Sequence, residues 1–164
     1  MRKQLYCDVD STINNHWVRI QKWSLPRFPG NSIHPNAFTR NEIMKDSALP
    51  DALESIKTLS KIYDIHFLTA RNFSNAYEIT KEWLDLHKFP YKSINVVKKS
   101  KDKPVFLNQR RCDLFIDDLS AGQEYGPSYV NLYHETISML NNLGIKYEIF
   151  KNNWKEIVRK YNEQ

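Results

Sequence analysis

The stretch Lys3-Gln4-Leu5-Tyr6-Cys7-Asp8-Val9-Asp10-Ser11-Thr12 decides how the chain folds. Lys3 to Cys7 reads as a short strand. Two carboxylates, Asp8 and Asp10, follow at once, and then the hydroxyls of Ser11 and Thr12. In a parallel α/β sheet, ligands bind at the carboxyl ends of the strands. The residues that leave each later strand therefore carry the next clue.

Outward from this stretch, strands and helices alternate. From Leu49 the apolar positions Leu49, Ala52, Leu53, Ile56, Leu59 and Tyr63 keep the helical period, with Pro50 near the start. Ile65-His66-Phe67-Leu68 is a compact strand. Ser74 is placed to cap a helix carrying Ala76, Ile79, Trp83 and Leu84. Ile94 to Val97 and Leu114 to Ile116 are the third and fourth strands. A helix with Val130, Tyr133, Ile137 and Leu140 on one face stops at Gly144. Residues 146–150 form a fifth strand, and Trp154, Ile157, Val158 and Tyr161 a closing helix. This alternation predicts an α/β fold, Rossmann-like, with a parallel sheet covered on both faces. Residues 13–47 break the rhythm, and Leu25-Pro26-Arg27-Phe28-Pro29-Gly30 interrupts them. They are expected to form a small helical cap inserted after the first strand, over a core of residues 1–12 and 48–164.

Four elements then deliver polar groups to one edge: Asp8 and Asp10, Thr69 with Arg71, Asp117 with Asp118, and Lys103, which begins the helix before the fourth strand. Gathered carboxylates repel one another, and a hard divalent cation with oxygen ligands is the usual remedy. Magnesium suits Asp8, Asp10, Asp117 and Asp118, because it favours a few carboxylates plus a substrate phosphate.

These residues resemble the motifs of the haloacid dehalogenase-like (HAD) phosphatases. Asp8-Val9-Asp10-Ser11-Thr12 is similar to the first motif, Leu68-Thr69 to the second, and Ile116-Asp117-Asp118 to the fourth. The third is a lysine about one helix earlier, and Lys103 lies fourteen residues before Asp117. Leu68-Thr69-Ala70-Arg71, Phe115-Ile116-Asp117-Asp118 and Asn153-Trp154-Lys155-Glu156-Ile157 look most like the 5'(3')-deoxyribonucleotidase and 5'-nucleotidase-like branch. The resemblance implies a Mg2+-dependent phosphatase. Asp8 would form an aspartyl-phosphate, and Asp10 would protonate the leaving oxygen and then deprotonate water. Thr69, Arg71 and Lys103 would bind the phosphoryl oxygens, aided by amides after Asp8. The metal would lie on Asp8, the Asp10 carbonyl and one of Asp117 and Asp118, with Asp118 favoured. Lys99 and Lys101 remain alternatives to Lys103.

The other features bound the partners. Of 164 residues, 41% are hydrophobic, enough for one packed core, and no stretch approaches a membrane span. The net charge of +5 favours phosphate-rich partners. Cys7 and Cys112 form no metal or disulfide pattern and read as small buried hydrophobes. No signal-peptide pattern follows Met1, so a cytoplasmic monomer or homodimer is expected. The five histidines, His16 among them, are expected to be structural or surface residues. In the insertion, Trp17, Trp23, Phe28 and Phe38 stand among Arg19, Lys22, Arg27 and Arg40. They suit a nucleobase and phosphates, or form the small core of the insertion. Residues 119–128, with Gly122 and Gly126, suggest a mobile loop. The competing functions are a 5'-nucleotidase, a phosphatase for polynucleotide 3' ends or a small metabolite, and a non-catalytic nucleotide-binding relative. A receiver-type domain does not fit, because its paired acids precede its phospho-acceptor.

Overall fold

A computed structural model describes residues 1–23, 33–120 and 132–162. Strand β1 (Lys3–Cys7) is followed by the short helices α1 (His16–Ile20) and α2 (Arg40–Ile43), with single 3₁₀ turns at Gln21–Trp23 and Pro35–Phe38. Then come α3 (Ala52–Leu59), β2 (Tyr63–Ala70), α4 (Ala76–Leu86), β3 (Ser93–Val97), α5 (Asp102–Asn108), β4 (Leu114–Asp117), α6 (His134–Asn142), β5 (Tyr147–Ile149) and α7 (Trp154–Tyr161). The five strands form one sheet in the order β3-β2-β1-β4-β5, and every pairing is parallel.

Period-two alternation divides the strand side chains between two layers. Leu5 and Cys7 of β1, Ile65 and Phe67 of β2, and Leu114 and Ile116 of β4 face one layer. There they meet Ile56 and Leu59 of α3, Trp83 and Leu84 of α4, and Trp154 and Ile157 of α7. Tyr6, Leu68 and Phe115 face the other, against Leu107 of α5 and Leu140 of α6. The sheet is therefore covered on both faces, as the near-continuous apolar strands require.

Local chemistry differs from expectation at several points. Strand β2 begins at Tyr63, two residues earlier than its apolar run, so Tyr63 belongs to the sheet and not to the preceding helix. Ser74 does not cap α4. Asn75 precedes that helix at φ 60°, in the left-handed region that asparagine tolerates. Gly144 lies just past α6 at φ 68°, where glycine costs least. Cys7 is buried, whereas Cys112 is partly exposed. Val130, Gly122, Gly126 and the 25–30 stretch with Arg27 and Phe28 lie outside the described residues. No helix among the described residues is long and apolar enough to cross a membrane.

Two tryptophans tie the loops to this frame. Trp154 is 1% exposed, and its Nε1–H donates to the Thr12 carbonyl at 2.8 Å. Trp83 donates in the same way to the Asp46 carbonyl at 2.9 Å. Residues 13–47 are closed at their base, where Asn14 bridges Ala48 and the Leu49 amide donates to the Ile13 carbonyl at 2.8 Å. Trp154→Phe keeps the packed ring but leaves the Thr12 carbonyl unpaired, and is expected to cost about 1–3 kcal/mol. Urea unfolding would measure this; an unchanged midpoint would show that the bond contributes nothing.

Candidate active site

Sheet register brings the acids together. Cys7 pairs with Ile116 on one side and Phe67 on the other, so Asp8 and Asp117 leave adjacent strands beside Thr69, the next-to-last residue of β2. Ser11 and Leu119, in the turns that follow, adopt positive φ of 65° and 50°. Backbone held in that region outside glycine is often found where function fixes a turn. A cavity of about 410 Å³ opens above these strand ends.

At its floor, Lys103 is 3% exposed, and its Nζ donates to Asp8 Oδ1 at 2.9 Å and to Asp117 Oδ2 at 2.7 Å. Lys99 and Lys101 are exposed and make no such contact. The other oxygen of Asp117 accepts the Leu119 amide at 2.8 Å, so both its oxygens are engaged. Asp118 faces hydroxyls instead, Thr12 at 3.3 Å and Ser120 at 3.2 Å, which can rotate away. Thr12 also donates to Asp8 Oδ2 at 3.1 Å and accepts the Asp118 amide at 3.1 Å. Thr12 and Ser120 were not singled out from the sequence as site residues, although Thr12 lies within the opening stretch.

Three buried carboxylates, Asp8, Asp117 and Asp118, offer oxygens within 4.8 Å of one another. One lysine cannot neutralise them. Burial pushes Asp8 up to about 7, Asp117 adds to this, and Lys103 pulls against both. Burial and then Asp117 and Asp8 likewise raise Asp118 well above the carboxylate range. Burial disfavours the charged form of Lys103, but Asp117 and Asp8 outweigh it and raise its pKa. Hard oxygen donors with excess negative charge fit a divalent cation.

The phosphate-binding candidates divide. The Thr69 hydroxyl is fully buried at the cavity wall and has no hydrogen-bond partner among the described residues. A buried hydroxyl without a partner costs about 1–3 kcal/mol unless a ligand satisfies it. The amides of Ser11, Thr12 and Ile13 bond within the turn, to Asn14 Oδ1 and the Val9 carbonyl, whereas no described residue accepts from those of Val9 and Asp10. Arg71 is committed elsewhere. Its guanidinium grips Asp10 with two bonds of 3.0 and 2.7 Å, and donates to Thr80 at 2.8 Å.

That pairing alters the expectation for Asp10. Burial pushes its carboxyl up, but Arg71, His16, and hydrogen bonds from Arg71 and Asn14 more than reverse this and hold it well below the usual range. Asp10 is thus ionised in this arrangement, whereas a proton donor was expected. His16 was expected to be structural or on the surface. It lies buried on the cavity wall, 3.3 Å from Asp46 and 3.6 Å from Asp10. No regular spacing announces that contact, because it closes only in three dimensions. The described cations named in residues 13–47 do not line the cavity: Arg19 pairs with Asp46 and Glu42, Lys22 with Glu42, and Arg40 with Glu82. Trp17 and Phe38 do line it.

No protein-family model matches the chain, and no curated protein matches it. Solved structures do. The haloacid dehalogenase-like family hydrolase SP0104 from Streptococcus pneumoniae superposes with a TM-score of 0.61 at 14% identity, covering 98% of each chain. The two chains share a Rossmann-like α/β fold. A chain of the Pnkp1/Rnl/Hen1 complex superposes with a TM-score of 0.59 at 18% identity, over 92% of this chain and 46% of that one. A chain of the Pnkp1/Rnl/Hen1 RNA repair complex gives 0.56 at 16%, over 92% and 42%. The present chain thus spans less than half the length of the two complex chains it matches.

The raised Asp8 has a measurable consequence. Between about pH 4 and pH 7 the folded protein holds a proton that unfolded Asp8, with its ordinary value near 3.8, has lost. Stability in chelator should therefore fall as pH rises across that window. Asp10 is depressed, so its contribution is lost only at lower pH, as acid protonates it. A divalent cation takes the place of the proton, and should raise the melting temperature most near neutral pH. Thermal melts with and without the metal would test this, and a stability that climbs through the window in chelator would contradict it.

Proposed function

We propose that the chain is a HAD-type phosphomonoester hydrolase that depends on a divalent cation, magnesium by its oxygen donors, with residues 13–47 as a small cap. The observation that carries this reading is the orphan hydroxyl of Thr69, facing a cavity whose floor holds Asp8 and Lys103. A buried donor beside a buried ammonium group suits a phosphoryl oxygen. The fold shared with a haloacid dehalogenase-like hydrolase supports it.

In this reading Asp8 attacks phosphorus through a carboxylate oxygen, and the phosphate ester bond to the leaving oxygen breaks. Lys103, Thr69 and the amides of Val9 and Asp10 hold the phosphoryl oxygens. Asp8, Asp118 and the Asp10 carbonyl would hold the metal, with Asp117 behind them on Lys103. When bound, the metal offsets the charge of the acids and the phosphate. Asp10 must first gain a proton from solvent; it then passes that proton to the leaving oxygen and recovers one from the water that hydrolyses the aspartyl-phosphate. For that, its pairing with Arg71 must loosen. An anionic substrate entering beside Arg71 competes for the same guanidinium and provides the means.

The substrate is proposed to be a nucleotide or a phosphorylated nucleic-acid end. Aromatic rings at the cavity wall support a nucleotide, and the fold shared with a chain of an RNA repair complex favours the end of a strand. Phosphate release from p-nitrophenyl phosphate, nucleoside monophosphates and 3'-phosphorylated oligonucleotides would test the chemistry. Asp8→Asn and chelator should each reduce turnover to background, and Asp10→Asn should lower kcat by about 10²–10⁴-fold. Full turnover by Asp8→Asn would rule it out as nucleophile.

A further inference from the structure

A second hollow borders the cavity on the β3 side. It is a shallower groove of about 590 Å³ past Arg71, over the end of β3 and the first turn of α4. Arg71, Asn72, Phe73 and Lys98 line both, so the two hollows adjoin. Phe73 stands at the junction, its ring 5.7 Å from that of Phe38 and inclined by 23°. Tyr77 lines the groove further on and is 47% exposed.

Positive charge gathers at the same edge of the sheet, where Lys98 lines both hollows and Lys99 the first. Lys98, Lys99 and Lys101 leave edge strand β3 in sequence, all exposed, and their ammonium groups have no carboxylate partner among the described residues. A mononucleotide seated at Asp8 leaves this groove without an occupant. Aromatic rings beside exposed lysines suit a single strand that is stacked and held by its phosphates.

We propose that the groove takes the penultimate nucleotides of a single-stranded nucleic-acid end whose terminal phosphate sits at Asp8, with Phe73 and Tyr77 as stacking platforms and Lys98 as a backbone contact. This rests on the phosphatase reading for the position of the terminal phosphate. Its recognition is tolerant of sequence and sensitive to salt.

Binding can be measured without turnover, in chelator, by competition against a fluorescent single strand. Competitors are a nucleoside monophosphate, di- and trinucleotides with a 3'- or 5'-terminal phosphate, and inorganic tripolyphosphate. Affinity should rise about tenfold or more from one nucleotide to three, and fall steeply with salt. Tyr77→Ala should remove most of that length advantage, and Lys98→Ala should lessen the log–log salt slope by about one. Both side chains are exposed, so neither change threatens the fold. Equal affinity for one and three nucleotides, or tripolyphosphate competing as well as the trinucleotide, would overturn the proposal. Turnover of p-nitrophenyl phosphate separates it from the reading it rests on. An active enzyme with no length preference refutes the groove alone, and an inactive protein that prefers longer strands refutes the phosphatase alone.

Discussion

The ammonium group of Lys103, sealed from solvent, lies 2.9 Å from Asp8 and 2.7 Å from Asp117, which end neighbouring strands. At an effective dielectric of about 20, two like charges under 5 Å apart repel by about 3–4 kcal/mol. Without a cation between them, β1 and β4 could not both end in an ionised acid at one edge of the sheet. Lys103 supplies part of that charge and the helix α5 fixes its position. What it leaves uncompensated is the negative charge that makes the edge a site for a divalent cation.

A second set of ion pairs positions the inserted segment. Asp10 is held by Arg71 from the end of β2, and Arg71 is in turn steadied by Thr80 on α4. His16 on α1 reaches both Asp10 and Asp46, and Arg19 pairs with Asp46. Asp46 is also anchored through its carbonyl to Trp83 in the core. The segment 13–47 is therefore tied to the core by the contact of His16 with Asp10 and the hydrogen bond from Trp83 to the Asp46 carbonyl, and not by hydrophobic packing alone.

Much of this was legible because acids interrupt apolar runs sharply. Asp8 and Asp117 were visible at the ends of Leu5-Tyr6-Cys7 and Leu114-Phe115-Ile116, and Thr69 at the end of Phe67-Leu68. Burial on both faces leaves such strands no polar positions except at their ends. Lys103 was harder to separate from Lys99 and Lys101, because the choice depends on where α5 begins, and helix starts are poorly marked in sequence. The partner of Arg71 was not legible at all. An arginine just past a strand end can meet a phosphate or a carboxylate with the same fork, and only the path of the turn after Asp8 decides between them. His16 was hidden for the same reason, since its neighbours Asp10 and Asp46 come from opposite ends of a segment without periodicity.

The two charge networks meet at one residue, and this has a mechanical consequence. Asp10 belongs to the turn that carries Asp8, yet its carboxylate is held by Arg71 and approached by His16 from the inserted segment. Phe38 of that segment stacks near Phe73 of the core at the cavity mouth, and Arg71 lies 5.9 Å from the Phe73 ring. A displacement of the segment that widens the mouth would therefore also move His16 relative to Asp10. In the proposed reading, an anion entering past Phe38 and Phe73 would compete with Asp10 for the fork of Arg71, which would link its admission to the release of the carboxylate beside it.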